Sequence, residues 1–69
     1  MVKIKGEYIT LGQLLKKVDL IDSGSSAKFF LSEKNVSVNG IKENRRGKKL
    51  FSGDVIVVEG VKLIIENED

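Results

Sequence analysis

Sixty-nine residues, 41% hydrophobic and 32% charged, suffice for one small apolar core. With no cysteine and no histidine, disulfides and thiolate or imidazole metal sites are excluded. The net charge of +2 hides an asymmetry: residues 1–49 carry eleven Lys/Arg against five Asp/Glu, whereas residues 50–69 carry Lys62 alone against five acids. A basic body with an acidic end predicts one face made for a polyanion. Apolar runs such as Val55–Val58 are far too short to span a bilayer, and MVKIKGEY lacks the apolar centre of a signal peptide. A single cytoplasmic domain covering residues 1–69 is expected.

In chain order, Val2, Ile4 and Tyr8 alternate with Lys3 and Lys5, the pattern of a short strand with one wet face. Thr10 and Gln13 have capping-box spacing, and Leu11, Leu14, Leu15 and Val18 recur at helical intervals. This predicts a first helix over Leu11–Val18, with Gln13, Lys16 and Lys17 on its other side. Gly12 costs such a helix up to about 1 kcal/mol relative to Ala, so it marks a place where something approaches closely. Leu20 and Ile21, in the connection, are expected in the core. Ser23-Gly24-Ser25-Ser26 offers N-caps for a second helix whose Ala27, Phe30 and Leu31 share the buried face. Asn35 is expected to end it in a left-handed conformation.

Val36 and Val38 open the β part, and Asn39-Gly40 is a strong tight-hairpin signal. Ile41, and then Leu50 and Phe51, are apolar again, while Ser52-Gly53-Asp54 reads as a turn. Val55–Glu59 and Val61–Ile65 form β-branched runs joined at Gly60, the pattern of a hairpin. Between these parts lies the basic cluster Lys42, Arg45, Arg46, Lys48 and Lys49, broken only by Glu43.

Catalysis finds no support. Acid–base work needs a group with a tuned pKa beside a substrate. Asp19 and Asp22 read as solvated residues of an interhelical connection, and no base is visible to activate Ser23, Ser25 or Ser26. The glycines form no nucleotide-binding fingerprint. No enzyme activity, cofactor, metal or small-molecule substrate is expected. Nucleic-acid binding fits better, because Arg and Lys match phosphate oxygens. Arg45, Arg46, Lys48 and Lys49 are the expected phosphate ligands, with Lys28, Lys16 and Lys17 around them. Phe29 lies off the apolar face, and two roles are open to it: stacking on an unpaired base, or packing in the fold, which is the expectation in so small a domain. The competing reading is a protein-interaction or adaptor module that uses the basic loop or the acidic end.

Leu11…Leu14-Leu15, Ser23-x-Ser25-x-Ala27-Lys28, Val36-x-Val38-Asn39-Gly40 and Gly53-Asp54-x-Ile56-x-Val58 together resemble the S-four RNA-binding domain, over Thr10 to Glu59. Ile9-Thr10-Leu11-Gly12-Gln13, Phe30-Leu31-Ser32-Glu33 and Asn44-Arg45-Arg46-Gly47 are similar to the small stand-alone members of the YaaA type. The resemblance implies an α+β fold, two short packed helices against a small, mainly antiparallel sheet (the alpha-L motif). It implies binding to structured RNA, ribosomal RNA or a ribosomal particle in particular; a monomer is expected. Ser23, Ser25 and Lys28 match the family's Ser-Arg-Ser-x-Ala-Arg segment, and Asn39 and Gly40 its turn, where they would touch RNA or preserve the turn. Gly24 stands where that segment has Arg: either the Arg45–Lys49 loop supplies the missing charge or the RNA sits differently.

Overall fold

A computed structural model describes residues 1–68. Strands β1 (Val2–Ile4) and β2 (Tyr8–Thr10) lead into helices α1 (Leu11–Lys17) and α2 (Gly24–Glu33). Strands β3 (Val36–Val38), β4 (Ile41–Lys42), β5 (Lys49–Phe51), β6 (Val55–Val58) and β7 (Val61–Asn67) follow. Five strands form one sheet in the order β1-β7-β6-β3-β4, and β2 pairs with β5 in a second, two-stranded sheet. Every ladder is antiparallel except β1 with β7. The fold is thus the α+β class expected.

The core is one cluster. Leu11, Leu14 and Leu15 of α1 and Ala27 and Leu31 of α2 meet Val36, Val38, Ile56, Val58 and Ile65 of the large sheet and Leu50 of the small one. Val2, Ile4 and Ile21 complete it, with Phe30 and Val18 half-buried at its margin.

Two hairpin turns carry the register. Asn39 (φ 52°) and Gly40 (φ 84°) join β3 to β4, and Glu59 (φ 48°) and Gly60 (φ 84°) join β6 to β7. Left-handed conformation at both central residues matches the twist of the flanking strands. The Asn39 side chain clamps its turn to the neighbouring strand: its Nδ2 donates to Asp54 Oδ1 (3.1 Å) and its Oδ1 accepts from the Val55 N–H (2.9 Å).

Several local expectations need correction. Tyr8 does not continue the first strand. Gly6, at φ 86°, breaks the chain direction, and Tyr8 begins β2 with its side chain 41% exposed. Helix α1 stops at Lys17, with Val18 as its cap. Asp19, at φ 60°, takes the left-handed position after it; the Asp19 and Leu20 N–H groups donate to the carbonyls of Lys16 and Leu15. This Schellman-type ending holds Leu20 at the surface, 44% exposed, while Ile21 reaches the core. Asn35 is not left-handed. The chain leaves α2 extended at Lys34, and Asn35 instead exchanges bonds with Glu59, donating its N–H to Oε2 (2.8 Å) and accepting from the Glu59 N–H (2.9 Å).

Candidate nucleic-acid interface

Helix α1 positions the site. Its capping box is complete: the Thr10 N–H donates to Gln13 Oε1 (2.9 Å), and the Gln13 N–H donates to Thr10 Oγ1 (3.3 Å). The next unpaired N–H groups of a helix start need acceptors, and the basic loop provides them. Leu11 N–H donates to the Lys48 carbonyl and Gly12 N–H to the Arg46 carbonyl, each at 2.8 Å. The loop is therefore pinned across the N-terminus of α1, and those two amides are not available to an anion. Any charge the surface offers comes from side chains.

Gly12 makes this contact feasible. A Cβ there would lie 3.3 Å from both Arg46 Cβ and Arg46 O, and 3.7 Å from Ala27 Cβ. The close approach expected at Gly12 is thus the basic loop on one side and α2 on the other. Gly12 sits between the basic loop and α2, whereas the Asn39-Gly40 turn is tied to Asp54 and Val55.

Gln13 lies one helical turn from both Lys16 and Lys17, and two adjoining grooves share it. One, of about 290 Å³, is lined by Thr10, Gly12, Gln13, Lys16, Arg46 and Gly47. The other, of about 350 Å³, is lined by Ile4, Lys5, Tyr8, Ile9, Gln13 and Lys17. Among the described residues no Asp or Glu lines either groove, and Lys5, Lys16, Lys17 and Arg46 do.

Not all of the expected cations are equivalent. The Arg45 guanidinium grips Glu43 with both arms, Nε to Oε2 at 2.9 Å and Nη2 to Oε1 at 3.2 Å, and its N–H also bonds Oε2. This embrace holds the Glu43 carboxyl down at about 2, the side-chain hydrogen bond from Arg45 being the main cause. Arg45 is accordingly part of the loop's internal bracing as well as a surface charge. Lys48 is half-buried and serves the loop through its carbonyl, and Lys49 holds its Nζ 4.9 Å from the centre of the Tyr8 ring.

On α2, Ser25, Lys28, Phe29 and Ser32 fall on one exposed stripe, three and four residues apart. Phe29 is 70% exposed, so the expectation that it packs in the fold is overturned: Ala27, Phe30 and Leu31 already occupy the inward face, and one residue's rotation puts Phe29 outside. Ser23 is the N-cap by position, but its hydroxyl lies against those of Ser25 (3.0 Å) and Ser26 (3.4 Å) and caps no backbone N–H. Asn39 and Gly40, like Ser23, Ser25, Lys28 and Phe29, line neither basic groove. Tyr8, Phe51, Lys5 and Gln13 were absent from the expected site. The period-two signal of three-residue strands is too short to announce the β2–β5 pairing that groups the first two.

A small α+β chain with a basic loop fastened across a helix start, among cation-lined grooves, has the form of a nucleic-acid-binding module. Comparison with known proteins is more definite. Residues 2–66 match the family model of the S4 domain, and the chain belongs to that family. It is also 56% identical, over 59 residues, to the probable ribosome maturation protein RlbA of Bacillus subtilis (strain 168). That alignment covers 86% of this chain and 83% of the relative. Among the described residues no group of carboxylates could hold a metal ion, and no helix is long and apolar enough to cross a membrane.

Proposed function

We propose that this protein is a non-enzymatic RNA-binding factor that acts on structured ribosomal RNA or an assembling ribosomal particle in the cytoplasm. The observation that carries the reading is the pair of grooves that share Gln13, one lined by Lys5 and Lys17 and the other by Lys16 and by Arg46 of the loop fixed to α1, with no carboxylate among their described lining residues. Family membership and the name of the Bacillus relative support the same reading. Arg46, Lys16 and Lys17 contact phosphates directly. Lys28 and Phe29 extend the contact along the exposed stripe of α2, with Ser23 and Ser25 at its start. Lys49 contributes charge from β5, and Lys48 mainly shapes the loop. Arg45 contributes charge while it braces Glu43, and Asn39 and Gly40 hold the β3–β4 turn. Recognition is of RNA shape, since the deep A-form major groove is closed to side chains. The protein acts as a monomer and needs no small-molecule substrate.

A protein contact, though away from the basic loop and the acidic end, has one feature in its favour. A mainly apolar groove of about 380 Å³ is lined by Val18, Leu20, Phe30, Val58, Val61 and Leu63 together with Lys34 and Glu59, and shares none of these residues with the basic grooves. A protein contact there is compatible with RNA held elsewhere on the same molecule. Crosslinking in cells followed by sequencing of the attached RNA tests the main proposal. Reads concentrated in ribosomal RNA are expected; RNA recovery no higher than from an uncrosslinked control would contradict it.

A further inference from the structure

The small sheet carries an aromatic surface that the phosphate contacts do not use. Its register sets Tyr8 opposite Phe51, Ile9 opposite Leu50 and Thr10 opposite Lys49. Alternation sends Ile9 and Leu50 inward, Leu50 being fully buried, and therefore turns Tyr8, Thr10, Lys49 and Phe51 to the other face. Tyr8 and Phe51 remain 41% and 47% exposed, with ring centres 6.0 Å apart and planes tilted by 49°. They are two of the chain's four aromatic residues. Burial does not account for placing half of these costly side chains at the surface of a domain this small.

Three features say what this pair receives. Tyr8 is itself a wall of the groove that holds Lys5 and Lys17, so the rings continue the basic surface. Through Gln13 that groove adjoins the one holding Lys16 and Arg46. Lys49, from the strand that carries Phe51, rests its ammonium 4.9 Å from the Tyr8 ring centre. A polynucleotide offers partners for both elements at the spacing of one nucleotide, a flat base for the ring and a phosphate for the ammonium. Aromatic side chains beside a cationic track are the recurrent means of holding unpaired bases. We propose that Tyr8 and Phe51 form a stacking platform for one unpaired base of the bound RNA, and that Lys49 leaves the Tyr8 ring for a phosphate as the base takes its place.

This inference rests on the RNA-binding reading and deepens it: the target presents a bulged or looped nucleotide next to a helix. An alternative role for the pair is to stabilise a short ladder by cross-strand contact. The two roles separate experimentally, because Tyr8 is the one tyrosine and the chain has no tryptophan. Intrinsic emission therefore reports Tyr8 alone. The probes are an RNA hairpin with a single unpaired adenosine bulge and the same hairpin with the bulge deleted, at low salt.

The wild-type protein should bind the bulged hairpin roughly tenfold more tightly and lose Tyr8 emission with that RNA only. Tyr8→Leu and Phe51→Leu, which keep an apolar side chain in the ladder, should bring the two affinities together, the larger loss falling on the bulged hairpin. Equal wild-type affinities and equal emission with the two RNAs would overturn the platform while leaving phosphate binding intact. So would variants that lower both affinities in parallel. Binding to neither RNA would overturn the RNA reading and the platform with it. The wild-type emission needs no variant, so the test stands even if a substitution weakens the fold.

Discussion

Replacing Gly12 with valine should loosen the basic loop without removing a single charge. The magnitude follows from the geometry. The Cβ alone reaches to 3.3 Å from Arg46 Cβ and Arg46 O, and valine adds two methyl groups beyond it. To admit them the loop must retreat, and the bonds at risk are Gly12 N–H to Arg46 O and Leu11 N–H to Lys48 O. Each contributes about 1 kcal/mol net. Valine is the better helix former by about 0.4 kcal/mol, which offsets little of that. The expected cost is about 1–2 kcal/mol, a fall in melting temperature on the order of 10 °C for a domain of this size. Affinity for a structured RNA hairpin should fall as well, because Arg46 leaves its place beside Lys16. Gly12→Ala is the control: a retreat of a few tenths of an ångström is balanced by improved helix propensity, with a net effect near zero. Thermal unfolding by circular dichroism and hairpin binding by fluorescence anisotropy measure both. A Gly12→Val protein as stable and as tight-binding as Gly12→Ala would refute the docking of the loop on α1.

Other consequences are simpler to check. Asn39→Ala removes two side-chain hydrogen bonds and a residue tolerant of φ 52°, so urea unfolding should show a loss of about 2–3 kcal/mol. Unchanged stability with weakened RNA binding would instead make Asn39 an RNA contact. Phe29→Ser should leave the melting temperature within 1–2 °C of wild type, as expected for an exposed side chain, and weaken RNA binding; a large drop in melting temperature would mean that Phe29 packs in the fold. The Glu43 carboxyl is held from 4.5 down to about 2. A depressed carboxylate stabilises the fold above its unfolded-state value, and that contribution fades as pH falls toward 2. Arg45 is 72% exposed, so solvent screening keeps the contribution small. Urea unfolding from pH 6 to 2 should therefore show Glu43→Gln converging on wild type at the acid end; a constant difference across that range would contradict this.

The features legible in the sequence were those decided by neighbours along the chain. The Thr10–Gln13 capping box, the inward face of α1 and the Asn39-Gly40 and Gly60 turns all rest on contacts within four residues, and the structure contains each of them. Gly12 was legible as a point of close approach because glycine in a helix is a cost needing a reason. What approaches it comes from 34 positions further along, beyond the reach of local pattern. The same limit hid the β2–β5 ladder, and with it the exposure of Tyr8 and Phe51. Leu20 and Asn35 misled for another reason. An apolar residue next to a helix reads as core until the helix ending is known, and Asn35 suits a left-handed position that the structure gives to Asp19 instead. The pairing of Arg45 with Glu43, two residues apart, was open to view in the sequence. The cluster read as a sum of charges because charge counting ignores which of them neutralise each other.

The measurement that reaches the central claim most directly is the salt dependence of binding to a ribosomal RNA hairpin, compared between wild type and the Lys16→Ala/Arg46→Ala double variant. If the two side chains each neutralise a phosphate in the groove beside Gln13, the slope of log affinity against log salt should become shallower by roughly 1.5. Affinity at low salt should fall with it, while the melting temperature stays within a few degrees of wild type. A double variant that stays folded and keeps the wild-type slope and affinity would show that RNA, if bound, is held by some other face of the molecule.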